Sequence, residues 1–154
     1  MTDLRVRRYE DHDKEAVWRV HERAFRAALP EFYPAVDRDL RDVPGNYLAE
    51  GEFLVGERAG EVVACGGFRP VGEATVELKR LRVVPKCWRE GYGAALVREL
   101  ERRARGRGFE RAVLDTSEYL DAARALYRSL GYEETGTEHH EAWDVELQQF
   151  AREL

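Results

Sequence analysis

The groups best spaced for chemistry lie in one stretch, residues 77–93, reading ELKRLRVVPKCWREGYG. Strand side chains repeat every two residues, and Val76 and Leu78 obey that period, as do Leu81 and Val83. The step from Leu78 to Leu81 is three. One extra residue must therefore be absorbed near Lys79 and Arg80, which predicts a β-bulge, and a bulge bends its strand away from a neighbour. Main-chain N–H and C=O groups released in this way need new partners, and a ligand with amide groups supplies them. Directly afterwards, Gly91-Tyr92-Gly93 opens a helical pattern. The unpaired N–H groups at a helix start, together with its dipole, attract phosphate, and glycines let an anion approach the backbone. The chemistry expected of this stretch is capture of one ligand that carries both amides and phosphate.

Other reactive side chains are sparser. Glu77 sits on the strand face opposite Val76 and Leu78, and Tyr127 lies beside an apolar stripe running from Ala123 to Leu130. His139 and His140 are adjacent, so on a strand they face opposite ways, and no metal site is expected. His21 falls on an apolar helix face and reads as a core or interface histidine. Cys65 and Cys87 are the only cysteines, too few for a disulfide framework, which points to a reducing, cytoplasmic setting. Cys87 stands next to the turn, where electrophiles could modify it, but no His–Asp context supports it as a nucleophile. The net charge of −5 disfavours binding to nucleic acid through the whole surface. No apolar run approaches the ~20 residues of a membrane span, and the first residues lack the apolar stretch of a signal peptide.

The elements that must position these groups follow from periodicity. Leu4 to Tyr9 alternates as a strand. Asp11 or Asp13 caps a helix whose apolar face is Val17, Val20, His21, Ala24 and Ala28, ending at Pro30 and Pro34. A short helix is expected around Asp37 to Asp42. Phe53–Glu57 and Glu61–Phe68 form a hairpin around Arg58-Ala59-Gly60. Ala74–Val84 is the bulged strand, and the helix from Gly91 stops at Gly106 and Gly108. Arg111–Asp115 is a buried strand, Leu120–Leu130 a helix, and strands follow near Tyr132–Gly136 and Glu141–Leu147. Gln148–Leu154 reads as a polar tail with helical character. The 154 residues fit one domain of mixed α/β class around a single sheet.

In these residues the chain resembles the GNAT superfamily of N-acetyltransferases. The segment Trp88-Arg89-Glu90-Gly91-Tyr92-Gly93 matches both glycines of that family's pyrophosphate loop, with Trp88 where Gln or Arg is usual. The segment from Ala122 to Tyr132 resembles its fourth helix with the tyrosine at Tyr127, and Leu120 stands where Asn is common. The resemblance implies a mostly antiparallel sheet of six to seven strands, splayed at a bulged fourth strand and flanked by about four helices. It implies acetyl-CoA as cosubstrate, an amine as acceptor, and no metal. Leu81 would offer its backbone N–H to the thioester oxygen, and Leu81, Arg82 and Val83 would pair with the pantetheine arm. Arg89, Glu90, Gly91, Tyr92, Gly93 and Ala94 would surround the pyrophosphate. Glu77, four residues before Leu81, would be the base, directly or through a water, and Tyr127 the acid toward sulfur. Trp18, Phe32 and Tyr33 fall in the region that borders the acceptor pocket in such proteins. The late acidic residues Glu133, Glu134, Glu138, Glu141, Asp144 and Glu146 fall on the acceptor side. Homodimers are common in the superfamily. The alternative is a module that holds acyl-CoA without turning it over.

Overall fold

The computed structural model describes residues 3–29, 37–117, 120–141 and 144–154. Seven strands form one sheet in the order β1-β2-β3-β4-β5-β7-β6. They are β1 (Arg5–Arg8), β2 (Glu52–Arg58), β3 (Glu61–Pro70), β4 (Thr75–Val83), β5 (Arg111–Ser117), β6 (Glu133–His140) and β7 (Val145–Glu153). Neighbours are antiparallel except β4 and β5, which the helical crossover makes parallel. The helices are α1 (Lys14–Ala28), α2 (Tyr92–Gly106) and α3 (Asp121–Ser129), with single turns at Asp11–Asp13, Arg38–Arg41, Pro44–Leu48 and Pro85–Cys87. Pro30, Pro34, Phe32 and Tyr33 lie outside the described residues.

The sheet is covered on both faces. On β2, Leu54 belongs to one buried cluster and its neighbours Phe53 and Val55 to the other, as alternation requires. One cluster packs α2 and α3 through Leu96, Leu100, Ala104, Tyr127 and Leu130. The other packs α1 through Val17 and Val20, with Leu40, Val43 and Tyr47. Fully burying each such aliphatic side chain contributes about 1.5–3 kcal/mol.

The C-terminal expectation is corrected. Residues 148–153 are not a helical tail but the second half of β7, which inserts between β5 and β6. Phe150 packs into the α2–α3 cluster, whereas Val145 and Leu147 occupy the other parity of the strand. Apolar residues on both faces of one strand erase the period-two signature. Among the described residues, no helix is long and apolar enough to cross a membrane.

Candidate active site

The bulge lies where the side-chain phase requires it. Gly67 pairs with Lys79 and Cys65 with Arg82, so Gly66 alone faces both Arg80 and Leu81. Arg80 takes a positive φ of 59°, a left-handed conformation that costs a non-glycine residue free energy. Side chains switch parity across it. Val76 and Leu78 are buried in the α2–α3 cluster before the bulge, and Leu81 and Val83 pack on it afterwards. Lys79 and Arg80 both fall on the α1 face, where Arg80 lies 3.0 Å from Asp37 and 3.0 Å from Asp39. Gly66 makes room, since a Cβ there would stand 2.8 Å from Leu81 Cδ1.

The main chain switches with the side chains. Before the bulge, Ala74 C=O accepts from Glu110 and Arg111 N–H, so even-numbered residues face β5. After it, Val84 N–H donates to Val63 C=O at 2.9 Å, so even-numbered residues face β3 and Leu81 and Val83 face the β5 side. There β5 has already parted. The two strands pair only from Thr75–Arg111 to Glu77–Val113, while β4 continues to Val83 and β5 to Ser117 along β7. The result is a wedge with Leu81 and Val83 backbone groups on one wall. Arg82 differs from its neighbours: its main chain faces β3 and its side chain the α1 face.

The turn after β4 supplies the donors expected of it. Arg89 and Gly91 have φ of 69° and 84°, and Gly91 is the residue preceding α2. The first helical bond is Ala95 N–H to Gly91 C=O. The N–H groups of Arg89, Glu90, Gly91, Tyr92, Gly93 and Ala94 donate to no described residue, which leaves six consecutive donors at a helix start. The Tyr92 side chain turns inward, is buried, and donates to Asp3 at 2.5 Å. It anchors the turn and only its backbone is available there.

Glu77 is a quarter exposed, on the α1 face, with its carboxylate 3.8 Å from Lys79 Nζ. It borders a cleft of about 260 Å³ that Val113, Asp115 and Gln149 also line. Burial, with Arg80, pushes Lys79 below its usual value, against the opposing pull of Glu77. Tyr127 is buried, packed against Tyr132 at 5.9 Å and Phe150 at 6.3 Å. Burial pushes its phenol up to about 12, partly countered by Arg82 on β4 and reinforced by Asp115 on β5. Its two electrostatic neighbours thus stand on the two walls of the wedge. The phenol makes no hydrogen bond to a described residue and is protonated at neutral pH.

Two features escaped the sequence reading. Trp88 Nε1 donates to Val83 C=O at 2.7 Å, so the carbonyl that faces the wedge carries a protein donor. The departure of Trp88 from the family loop was the available signal. The second is a buried relay behind β4. His21 is fully buried, 3.2 Å from Asp37 through Nε2, and its Nδ1 accepts from Arg82 Nε at 3.3 Å. Cys87 is also buried, which corrects its expected accessibility to electrophiles, and burial pushes the Cys65 thiol up to about 12. Trp18 packs against His21 with the rings tilted by 57° and their centroids 5.3 Å apart, and carries Arg41 over its ring. Of the late acids, Glu134 pairs with Arg128, and Glu146 and Asp144 with His139, on the exposed edge formed by β6 and its turn. Among the described residues, no group of His, Cys, Asp and Glu is arranged to hold a metal ion.

Comparison with known proteins gives one family. Residues 14–132 match the Acetyltransferase (GNAT) family. The chain is 36% identical over 116 residues to human N-acetyltransferase 8B, covering 71% of this chain and 51% of that protein. It thus spans about half the length of that relative. The fold matches a GNAT-family acetyltransferase of Staphylococcus aureus with a TM-score of 0.87 at 17% identity, over 98% of this chain and 99% of that one. It also matches a GNAT-family acetyltransferase of Elizabethkingia anophelis, solved with acetyl-CoA bound, with a TM-score of 0.72 at 16% identity over 100% of both chains.

Proposed function

The chain belongs to the acetyltransferase (GNAT) family, and on that premise we propose that it is an acetyl-CoA-dependent N-acetyltransferase acting by direct attack of an amine in a ternary complex. The observation that carries this reading is the wedge: β4 and β5 part after Glu77–Val113, and Leu81 and Val83 then turn their amide groups into the gap. A pantetheine arm has amides to pair with such an edge, as an added strand does. Its diphosphate would rest on the six open N–H groups from Arg89 to Ala94. The bound acetyl-CoA of the E. anophelis neighbour supports the same choice of cosubstrate.

Each step then has a residue. An aliphatic ammonium has a pKa near ~10 and must lose a proton before it can attack. Glu77, on the acceptor side of β4, accepts that proton directly or through one water. As the new N–C bond forms, negative charge grows on the thioester oxygen, which the Leu81 N–H stabilises. The C–S bond breaks, and the thiolate takes a hydrogen bond or a proton from the neutral Tyr127 phenol.

Release of free CoA thiol from acetyl-CoA with a panel of amines tests the proposal. Glu77→Gln is expected to lower kcat by about 100-fold or more and to change its pH profile, with coenzyme Kd unchanged. An unaltered profile would take Glu77 out of the mechanism. Coenzyme binding without thiol release from any amine would favour a non-catalytic acyl-CoA module.

A further inference from the structure

Lysine is rare in this chain, and one of the few stands beside the proposed base. Of 25 Lys and Arg residues, only Lys14, Lys79 and Lys86 are lysines. Lys14 is exposed in the first turn of α1, and Lys86 is exposed and paired with Glu61 at 3.3 Å. Lys79 differs from both. Its side chain is 22% exposed, on the α1 face of β4, with Nζ 3.8 Å from Glu77 Oε1. Burial and Arg80 push it below its usual value, with a smaller push from Arg69, while Glu77 and Asp39 pull it back. The two arginines stay charged at any working pH, whereas a lysine can give up its proton. Desolvation next to another cation is one way in which proteins turn a lysine ammonium into a nucleophile.

Position adds to this. β4 and β5 last pair at Glu77–Val113, so Lys79 is the first α1-face residue of β4 beside the open gap. Leu81, whose N–H would hold the thioester oxygen, is two residues further on. That is at most ~7 Å along a strand that rises ~3.3 Å per residue. The four-carbon stem of lysine covers most of that distance. Nζ therefore has the base at one side and the thioester site within its reach. Tethering replaces an encounter between two molecules by the motion of one side chain, which raises the effective concentration of the amine.

Resting on the transferase reading above, we propose that Lys79 is a self-acetylation site, the chain acting as its own acceptor when acetyl-CoA is bound in the absence of an amine. Nζ first loses one proton to solvent. The neutral amine bonds to the acetyl carbon and passes a second proton to Glu77, the C–S bond breaks, and CoA leaves as the thiol with a proton from Tyr127, which solvent restores to the phenol. The product is an amide. It does not pass its acetyl group on, so it is a terminal modification and not an intermediate of transfer, and it removes the cation beside the base.

Incubation of the full chain with acetyl-CoA and no amine tests this, with peptide mass mapping over the three lysines. Lys79 is expected to be acetylated at least about ten-fold faster than the exposed Lys14 or Lys86, with up to about one CoA thiol released per chain. Glu77→Gln should slow the labelling of Lys79 by about ten-fold or more and leave Lys14 and Lys86 as they were. Loss of that carboxylate also lowers the lysine further, so a slower reaction is not an effect of its protonation. Lys79→Arg should abolish the thiol released without amine. Exposed lysines labelled as fast as Lys79, or Lys79 labelling untouched by Glu77→Gln, would mean acylation from solution and overturn the proposal. An unlabelled Lys79 in a chain that releases thiol with added amines would overturn it and leave the transferase reading standing. An unlabelled Lys79 and no thiol release with any amine would overturn both.

Discussion

At the scale of one residue, Trp88 occupies a main-chain acceptor on the wall of the wedge. Its indole donates to Val83 C=O, the acceptor that a pantetheine amide would seek on the proposed reading. The ring is nonetheless 44% exposed, so little packing opposes its release. A net hydrogen bond of this kind is worth about 1 kcal/mol. Trp88→Phe keeps the ring and deletes the donor, and is expected to tighten coenzyme Kd by about five-fold. In the unaltered chain, coenzyme titration should shift tryptophan emission, and Trp88→Phe should lose most of that shift. Weaker coenzyme binding by the variant would mean that the indole assists the ligand and does not compete with it. Tyr127 works by the opposite logic: burial raises its phenol and keeps the proton in place, with Arg82 and Asp115 on either side of the gap.

β4 is the element on which the site depends, and its bulge does two things at once. It moves Leu81 and Val83 into the α2–α3 packing and turns their amides toward the wedge. Gly66 opposite is what permits the extra residue. Gly66→Val would press on Leu81 Cδ1, 2.8 Å from a Cβ, and near Leu81 Cα at 3.4 Å. The overpacking is expected to cost about 1–3 kcal/mol of stability. Because the strain falls on the residue proposed to hold the oxyanion, kcat should drop by at least about ten-fold at temperatures where the variant remains folded. A variant that loses stability but keeps kcat would show that Leu81 N–H tolerates displacement. This element was legible in the sequence because a bulge leaves a three-residue step between apolar side chains, as Leu78 to Leu81 does. The start of α2 was legible for a similar local reason, its glycines. The relay behind β4 was not. His21 and Arg82 are 61 positions apart, and on an apolar helix face a histidine buried in a polar network looks the same as one packed in the core. The second half of β7, residues 148–153, was missed because Phe150 and Ala151 are buried on opposite parities of the strand, which removes the alternation that marks one.

At the scale of the whole molecule, both faces of the sheet bury charge, and that sets how the fold responds to acid. Behind α2, the fully buried Glu101 accepts from Tyr132 at 2.8 Å and lies 3.0 Å from Arg98 and 2.8 Å from Arg152. On the α1 face, burial alone would raise Asp13, but its bonds from Arg7 at 2.7 and 2.9 Å and from Glu10 N–H hold it below the usual range. Asp37 is likewise lowered: burial opposes ionisation, and His21, Arg80 and Arg82 outweigh it. His21 is lowered because burial, Arg82 and Arg80 disfavour its cation more than Asp37 favours it. All three folded pKa values lie below the unfolded ones. The unfolded chain therefore binds more protons in each interval, and stability must fall as the pH falls. The His21 contribution is complete above its unfolded value of 6.5 and is lost as the pH drops from there through its folded pKa. The two aspartates contribute fully above 3.8 and lose their share only below it. Tm should thus begin to decline just under neutrality, well before the carboxylates titrate. His21→Gln should start lower in Tm but flatten the profile between about pH 7 and 5, leaving the steep loss near pH 4 in place. If the variant keeps the same slope in that interval, His21 is not its source, and the buried relay does not stay neutral at the histidine.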